Sequence, residues 1–420
     1  MQTIYKIIYN LLLPVLFSIF KIIGFFNKKV RDTIKARKNL MKSLRQQAKS
    51  LDKEKKIIWV HSASMGEFEQ AKPLIEKLYH EGKHNIVVTF FSPSGYENQK
   101  NYKFAHLITY LPFDFLWSAK KFVSILKPDY AIITRYDLWP NILWELKKSQ
   151  TQIYLIDATM KDSSPRLYPI VRNFHKYIFN QFNKIFAISE KDKRNLLKFG
   201  IKDEILEVVG DTRYDRVYQK SREFINKSLL DEKIIYNKNI MVFGSSWNDD
   251  QKNYLESLLK LHKEDDKLLS IIVPHEPTKE HISEITEKID ISYIFYSNIS
   301  NYKDEKIIIV DCIGLLLALY KYAKVAFVGG SFKQGIHNVL EPAVYGIPVL
   351  YGPVIENSQE AKLLVKEGAG FVFNNNDEFY SLVKGLLYNQ DKLNEIRKIS
   401  QLIFENNIGA TEKIYSMVKS

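Results

Sequence analysis

Glu67 is the first residue of the chain whose setting suits chemistry. It follows an apolar run at 57–60 and the segment His61-Ser62-Ala63-Ser64-Met65-Gly66, and it opens a helical pattern that runs to about Tyr79. A carboxylate where a strand gives way to a helix can take a proton from a hydroxyl. The position equally suits a first-turn glutamate that favours the helix dipole, and local sequence leaves both readings open. A second candidate is 325–353, VAFVGGSFKQGIHNVLEPAVYGIPVLYGP. It reads as a buried strand at 325–328, a tight turn at Gly329 and Gly330, and a helix after Asn338 with Pro342 in its first turn. A new strand follows at 349–351. A helix N-terminus at the carboxyl edge of a parallel sheet would offer N–H groups to a phosphate. Glu341 would repel that phosphate but suits the paired hydroxyls of a ribose. A plain βαβ unit whose glycines serve packing fits the same spacing.

Three smaller sites end other apolar runs. Gly244-Ser245-Ser246 offers hydroxyls to a phosphate or sugar, or is an ordinary turn with Ser246 as helix cap. Pro274-His275 places an imidazole where it could meet a nucleotide, or pack. Arg213, in Gly210-Asp211-Thr212-Arg213-Tyr214-Asp215, could steady a departing phosphate or pair with Asp211 or Asp215. Asp137 could orient a substrate. No Cys/His group has zinc spacing, so no metal and no cofactor are expected.

The elements that must position these residues alternate in type. Strands are expected at 57–60, 85–91, 107–111, 130–134, 153–156, 184–188 and 206–209. A polar linker follows over about 218–239. A second series runs 240–243, 268–273, 293–296, 307–310, 325–328, 349–351 and 371–373, before a helical tail. Strands alternating with helical stretches mean parallel α/β sheets. With 420 residues, two domains are expected, as two Rossmann-like halves facing a cleft. The single Cys312 excludes an intrachain disulfide and favours a reducing compartment.

Charge is placed unevenly. Residues 1–56 hold 14 Lys/Arg against 3 Asp/Glu, so the rest of the chain carries only +2 of the net +13. A nucleic-acid groove would spread its basic residues over the folded body, so no nucleic-acid partner is expected. The basic residues lie beside an apolar N-terminus whose charge-free core, 7–20, is shorter than the ~20 residues a full span needs. An anchor that lies in the interface, or spans if its flanking lysines snorkel, would set the body on the cytoplasmic side of an anionic membrane surface. A soluble helix packed on the body is the alternative.

In order and spacing these motifs resemble the 3-deoxy-D-manno-octulosonic acid (Kdo) transferases of lipopolysaccharide synthesis. The resemblance runs from the N-terminal apolar segment through His61 to Glu67, Asp137-Leu138-Trp139-Pro140-Asn141, 210–215, Gly244-Ser245-Ser246 and Val273-Pro274-His275. It ends with Phe327-Val328-Gly329-Gly330-Ser331 and His337-Asn338-Val339-Leu340-Glu341-Pro342. It implies a GT-B glycosyltransferase with an anchor at 1–27, a basic segment at 28–56, an acceptor domain at 57–220, a CMP-sugar domain at 240–405 and a tail at 406–420. It implies CMP-Kdo as donor and the lipid A precursor as acceptor, at the cytoplasmic face of the inner membrane of a Gram-negative bacterium. Glu67 then stands as general base and Arg213 as the cation that steadies the transition state. Pro274, His275, Gly314, Leu315, Leu316, Asn338, Val339, Leu340 and Glu341 fall in the CMP-binding segments.

Two positions depart from the family pattern. A glutamate is common where this chain has Arg135, and an arginine is frequent where it has His275. Two rivals stay open: a catalytically silent, membrane-bound CMP- or lipid-binding relative, and a GT-B transferase using another nucleotide sugar.

Overall fold

A run such as Ile57-Ile58-Trp59-Val60 leaves no face for water, and parallel strands covered by helices on both sides are the structure that accepts it. The computed structural model describes residues 2–419; Met1 of the expected anchor and Ser420 of the expected tail lie outside them. The chain divides into one unit of residues 1–216 and 407–420 and another of residues 217–406.

The first unit holds β1 (Lys56–Ser62), β2 (His84–Phe90), β3 (Leu107–Tyr110), β4 (Tyr130–Thr134), β5 (Gln152–Ala158), β6 (Lys184–Ala187) and β7 (Leu206–Val208). They pair in parallel in the order β3-β2-β1-β4-β5-β6-β7. The order reverses between β1 and β4, so the crevice at their carboxyl ends is where a doubly wound sheet binds ligands. One face of the sheet is covered by a cluster with Trp59, Phe122 and Phe179, the other by one with Phe68, Ile75 and Phe186. Each such side chain contributes about 1.5–3 kcal/mol by leaving water. The second cluster takes in Ile414 and Val418 of the helix Ala410–Lys419. Asp215 fixes that helix by accepting the N–H groups of Gly409 and Thr411, each at 2.6 Å.

The second unit holds β8 (Asn239–Ser246), β9 (Leu268–Pro274), β10 (Tyr293–Phe295), β11 (Ile307–Ile309), β12 (Val325–Val328), β13 (Val349–Tyr351) and β14 (Gly370–Val372). Their order is β10-β11-β9-β8-β12-β13-β14, again all parallel, with the reversal between β8 and β12. Each expected strand forms, and the architecture is the paired Rossmann-like one of GT-B glycosyltransferases.

Two departures from expectation bear on function. β5 and β8 run further than their apolar cores, and each ends in a register irregularity, between Leu155 and Ala158 and between Gly244 and Ser246. Such bulges re-aim side chains at a sheet edge. The second departure concerns the helix after Asn338, which is a single turn, Leu340–Ala343. Gly346, at φ 72°, stops it, and Pro348 prevents its resumption. One turn is too short to present the phosphate-binding terminus expected there.

The helix Gln2–Phe26 has one anchored side. Tyr9 Oη donates to Asp114 Oδ2 at 2.8 Å, and the amides of Asn10 and Asn141 exchange hydrogen bonds of 3.0 and 2.9 Å. The Phe17 ring lies 4.7 Å from Phe113 and 5.1 Å from Phe115. Ile4, Leu11, Val15, Leu16 and Ile22 stay exposed along the rest of it.

Candidate active site

Glu67 is brought to the carboxyl edge of β1 because Ser64 ends the extended chain and the helix Met65–Glu81 starts at the next residue. Its Oε2 accepts the N–H of Ala63, the residue before the N-cap Ser64, at 2.7 Å, so the side chain reaches back over the helix start. Oε1 accepts no hydrogen bond from the described residues. Burial pushes the carboxyl above its usual range, against the Ala63 N–H, which lowers it; Asp137 adds to the rise, while His61 and Arg135 oppose it. Glu67 therefore makes a helix-start contact through one oxygen, and burial raises its carboxyl.

The neighbours are held rigidly. His61, fully buried at the end of β1, has Nε2 2.7 Å from Asp137 Oδ2 and Nδ1 2.8 Å from Thr89 Oγ1. Trp139 Nε1 donates to the same Asp137 oxygen at 3.0 Å. Burial would raise Asp137, yet the hydrogen bonds and charge of His61 hold it below the usual carboxylate range. Asp157, at the end of β5 and wholly buried, accepts the N–H and hydroxyl of Thr212 at 3.0 and 2.8 Å. Burial, with Asp211 nearby, holds its carboxyl well above the usual range. Arg135, directly after β4, and Asp157, at the irregularity near the end of the adjacent β5, have φ of 65° and 52°, a left-handed backbone that costs non-glycine residues of order 1–2 kcal/mol.

Arg213 takes the pairing that its sequence left open. Its guanidinium grips Asp211 through Nε at 2.9 Å and a terminal nitrogen at 2.6 Å, and a third of its side chain stays exposed. Gln70, one turn along the helix from Glu67, donates to Asp211 Oδ1 at 3.3 Å. Arg213 is thus tied to the helix that carries Glu67.

In the second unit a cavity of about 420 Å³ is lined by Ser245, Gly314, Leu316, His337, Asn338 and Glu341, among others. Ser245 sits at the β8 bulge with φ 52°. Asn338 Nδ2 donates to Glu341 Oε1 at 3.2 Å. Val339 and Leu340 are buried, so of that motif Asn338 and Glu341 face the cavity. The turn after β12 needs glycine: Gly330 has φ 86°, and a Cβ there would stand 2.6 Å from Gly335 O. Buried Asp250 accepts the Gly330 and Trp247 N–H groups at 2.9 Å each and fixes that turn. Burial pushes its carboxyl to about 6. His275 stacks at 4.4 Å on both Trp247 and His337, whose rings are joined by a Trp247 Nε1 to His337 Nε2 hydrogen bond of 3.0 Å. Pro274 borders a smaller hollow with Trp247 and His281, and Leu315 precedes the helix Leu316–Tyr320.

Comparison with known proteins bears directly on what this arrangement serves. Residues 33–216 match the family described as "3-Deoxy-D-manno-octulosonic-acid transferase (kdotransferase)". A "3-deoxy-D-manno-octulosonic acid transferase" of Aquifex aeolicus is 30% identical over 343 residues, which span 80% of this chain and 88% of that one. The chain belongs to the Kdo transferase family. A "Bifunctional glycosyltransferase/methyltransferase" of Fusobacterium nucleatum is 27% identical over 409 residues, 95% of this chain, which spans only 61% of that relative's length. In fold, this Kdo transferase family member resembles the UDP-GlcNAc 2-epimerase of Neisseria meningitidis, with TM-score 0.58, 16% identity and coverage of 83% of this chain and 98% of the other.

Sequence reasoning about the family motifs missed several groups that the fold brings to these edges. Asp157 lies one residue past the expected end of its strand, where extension of the period would have reached it. Trp247, Asp250, Lys220 and Phe224 gave no signal, because their contacts join segments far apart in the chain. The helix Thr212–Phe224 carries Lys220 and Phe224 to the cavity, out of a stretch expected to be linker.

Proposed function

We propose that this protein transfers Kdo from CMP-Kdo to the lipid A precursor, with inversion, at the cytoplasmic face of the inner membrane. The observation that carries this is Glu67, a carboxyl raised by burial and half-engaged by the Ala63 N–H, beside the β1/β4 reversal of a Kdo transferase family chain. Glu67 takes the proton of an acceptor hydroxyl as its oxygen bonds to the anomeric carbon of Kdo. The bond from that carbon to the CMP phosphate oxygen breaks, and its electron pair leaves with CMP. Arg213, oriented by Asp211, supplies positive charge as the phosphate departs. The cavity at Asn338 and Glu341 suits the ribose and cytosine of CMP, with Glu341 accepting from ribose hydroxyls. The helix at 3–26, with mean hydropathy 2.0 and 6% buried, holds the enzyme at the lipid surface.

Donor competition tests the assignment. Purified protein is given a lipid A precursor with CMP-Kdo or with UDP-GlcNAc, and free CMP and UDP are quantified. Release of CMP dependent on the acceptor is expected; release of UDP alone would overturn the donor assignment.

A further inference from the structure

Arg135 stands directly after β4, where its backbone N–H donates to Ile156 O at 2.8 Å. The Ser62 and Thr134 hydroxyls, 3.0 Å apart, lock the preceding residue to β1. Its side chain is unlike the other arginines of this unit that surround the site. Arg213 is bound to Asp211, Arg216 to Glu69 and Glu76, and Arg166 lies over the Tyr136 ring. Arg135 makes no ion pair and no side-chain hydrogen bond with the described residues, and its Nε is buried without a partner. Its charge nevertheless acts on Glu67 and on Asp157, which places it within the same cluster. A buried guanidinium N–H with nothing to donate to is an unfavourable arrangement, and an oxyanion is the group that relieves it.

We propose that Arg135 binds an anionic oxygen group of a substrate, gripping a carboxylate or phosphate beside Glu67 with the planar fork of its guanidinium. The choice of Arg over Lys fits bidentate recognition. This rests on the Kdo-transfer reading, in which both substrates carry such a group: a carboxylate on the transferred sugar and phosphates on the acceptor. Arg135 then sets specificity for a substrate oxyanion beside Glu67.

The test uses the full-length enzyme and its Arg135→Ala, Arg135→Lys and Arg135→Glu variants, with KM and kcat measured separately for donor and acceptor. Arg135→Ala should raise one KM by roughly 10- to 100-fold, Arg135→Lys should recover part of it, and Arg135→Glu should be the weakest. If the acceptor supplies the oxyanion, wild type should prefer a phosphorylated over a dephosphorylated acceptor, and Arg135→Ala should not. If the sugar carboxylate does, the donor KM should move and the acceptor preference remain. Unchanged KM values for both substrates, or higher activity in Arg135→Glu, would overturn the proposal. A separate arm titrates inorganic phosphate, following the protein by intrinsic fluorescence. Saturable binding lost in Arg135→Ala supports the oxyanion site even if no Kdo is transferred, in which case only the functional reading fails. Equal binding by both proteins, with no transfer by either, removes the site as well.

Discussion

Glu67 is held by one hydrogen bond and raised by burial, so the general-base role proposed for it has a residue-scale signature in the pH–rate profile. A base must be ionised to act, so kcat/KM should fall as pH drops through its pKa. Because burial raises that pKa above 4.5, the acid limb should lie above an ordinary carboxylate's. An acid limb at or below that value in the pH–rate profile would mean that another group titrates. Glu67 was legible in the sequence because strand, glycine and helix start lie within one continuous segment. His275 was legible only as a residue at a strand end. Its stacking on Trp247 and His337 joins the ends of three separate segments, a packing that no local pattern encodes. Arg213 shows the same limit, since a cation two residues from Asp211 and two from Asp215 could pair with either until the backbone chose.

Asp114 decides at the scale of elements how the N-terminal helix and the sheet edge are joined. It is buried, accepts the N–H groups of Asn141 and Ile142 at 2.9 Å each, and takes the Tyr9 hydroxyl. It therefore caps the helix Pro140–Lys148 from outside that helix's own sequence. Burial raises its carboxyl to about 7, against the hydrogen bonds that lower it. A carboxyl raised on folding favours the native state fully below its unfolded pKa, near 3.8, and this favour is lost as pH rises through about 7. Urea midpoints for the wild type should thus fall between pH 5 and pH 8, and Asp114→Asn should flatten that dependence. An unchanged slope in the variant would exclude Asp114 as its source. Asp114→Ala should cost about 2–3 kcal/mol through the donors it strands. The strands and their parallel pairing followed from the alternation in sequence, but their order in each sheet and the length of the helix after Asn338 did not. An apolar helical period continues to residue 347, yet Gly346 in the left-handed region ends the helix a turn early.

For the molecule as a whole, the sequence already placed the positive charge and the apolar helix together at the N-terminus. What it left open was that the helix docks by a polar and aromatic side through Tyr9, Asn10 and Phe17, leaving a row of exposed aliphatic residues. Binding to anionic phospholipid vesicles should therefore persist in 1 M salt, where screening leaves a Debye length of about 3 Å. Removal of residues 2–26 should leave only salt-sensitive binding. Sedimentation with vesicles checks this, and salt-resistant binding by the shortened protein would point to another apolar surface. The central claim is that the carboxylate of Glu67 moves the acceptor's proton during Kdo transfer. Its most direct test is mass spectrometry of a tetra-acylated lipid A precursor after incubation with CMP-Kdo and either wild type or Glu67→Gln, with CMP binding measured alongside. Wild type should add the mass of one or more Kdo residues, and Glu67→Gln should fall by roughly 10²–10⁴-fold while still binding CMP. A variant that transfers Kdo at the wild-type rate would contradict the claim.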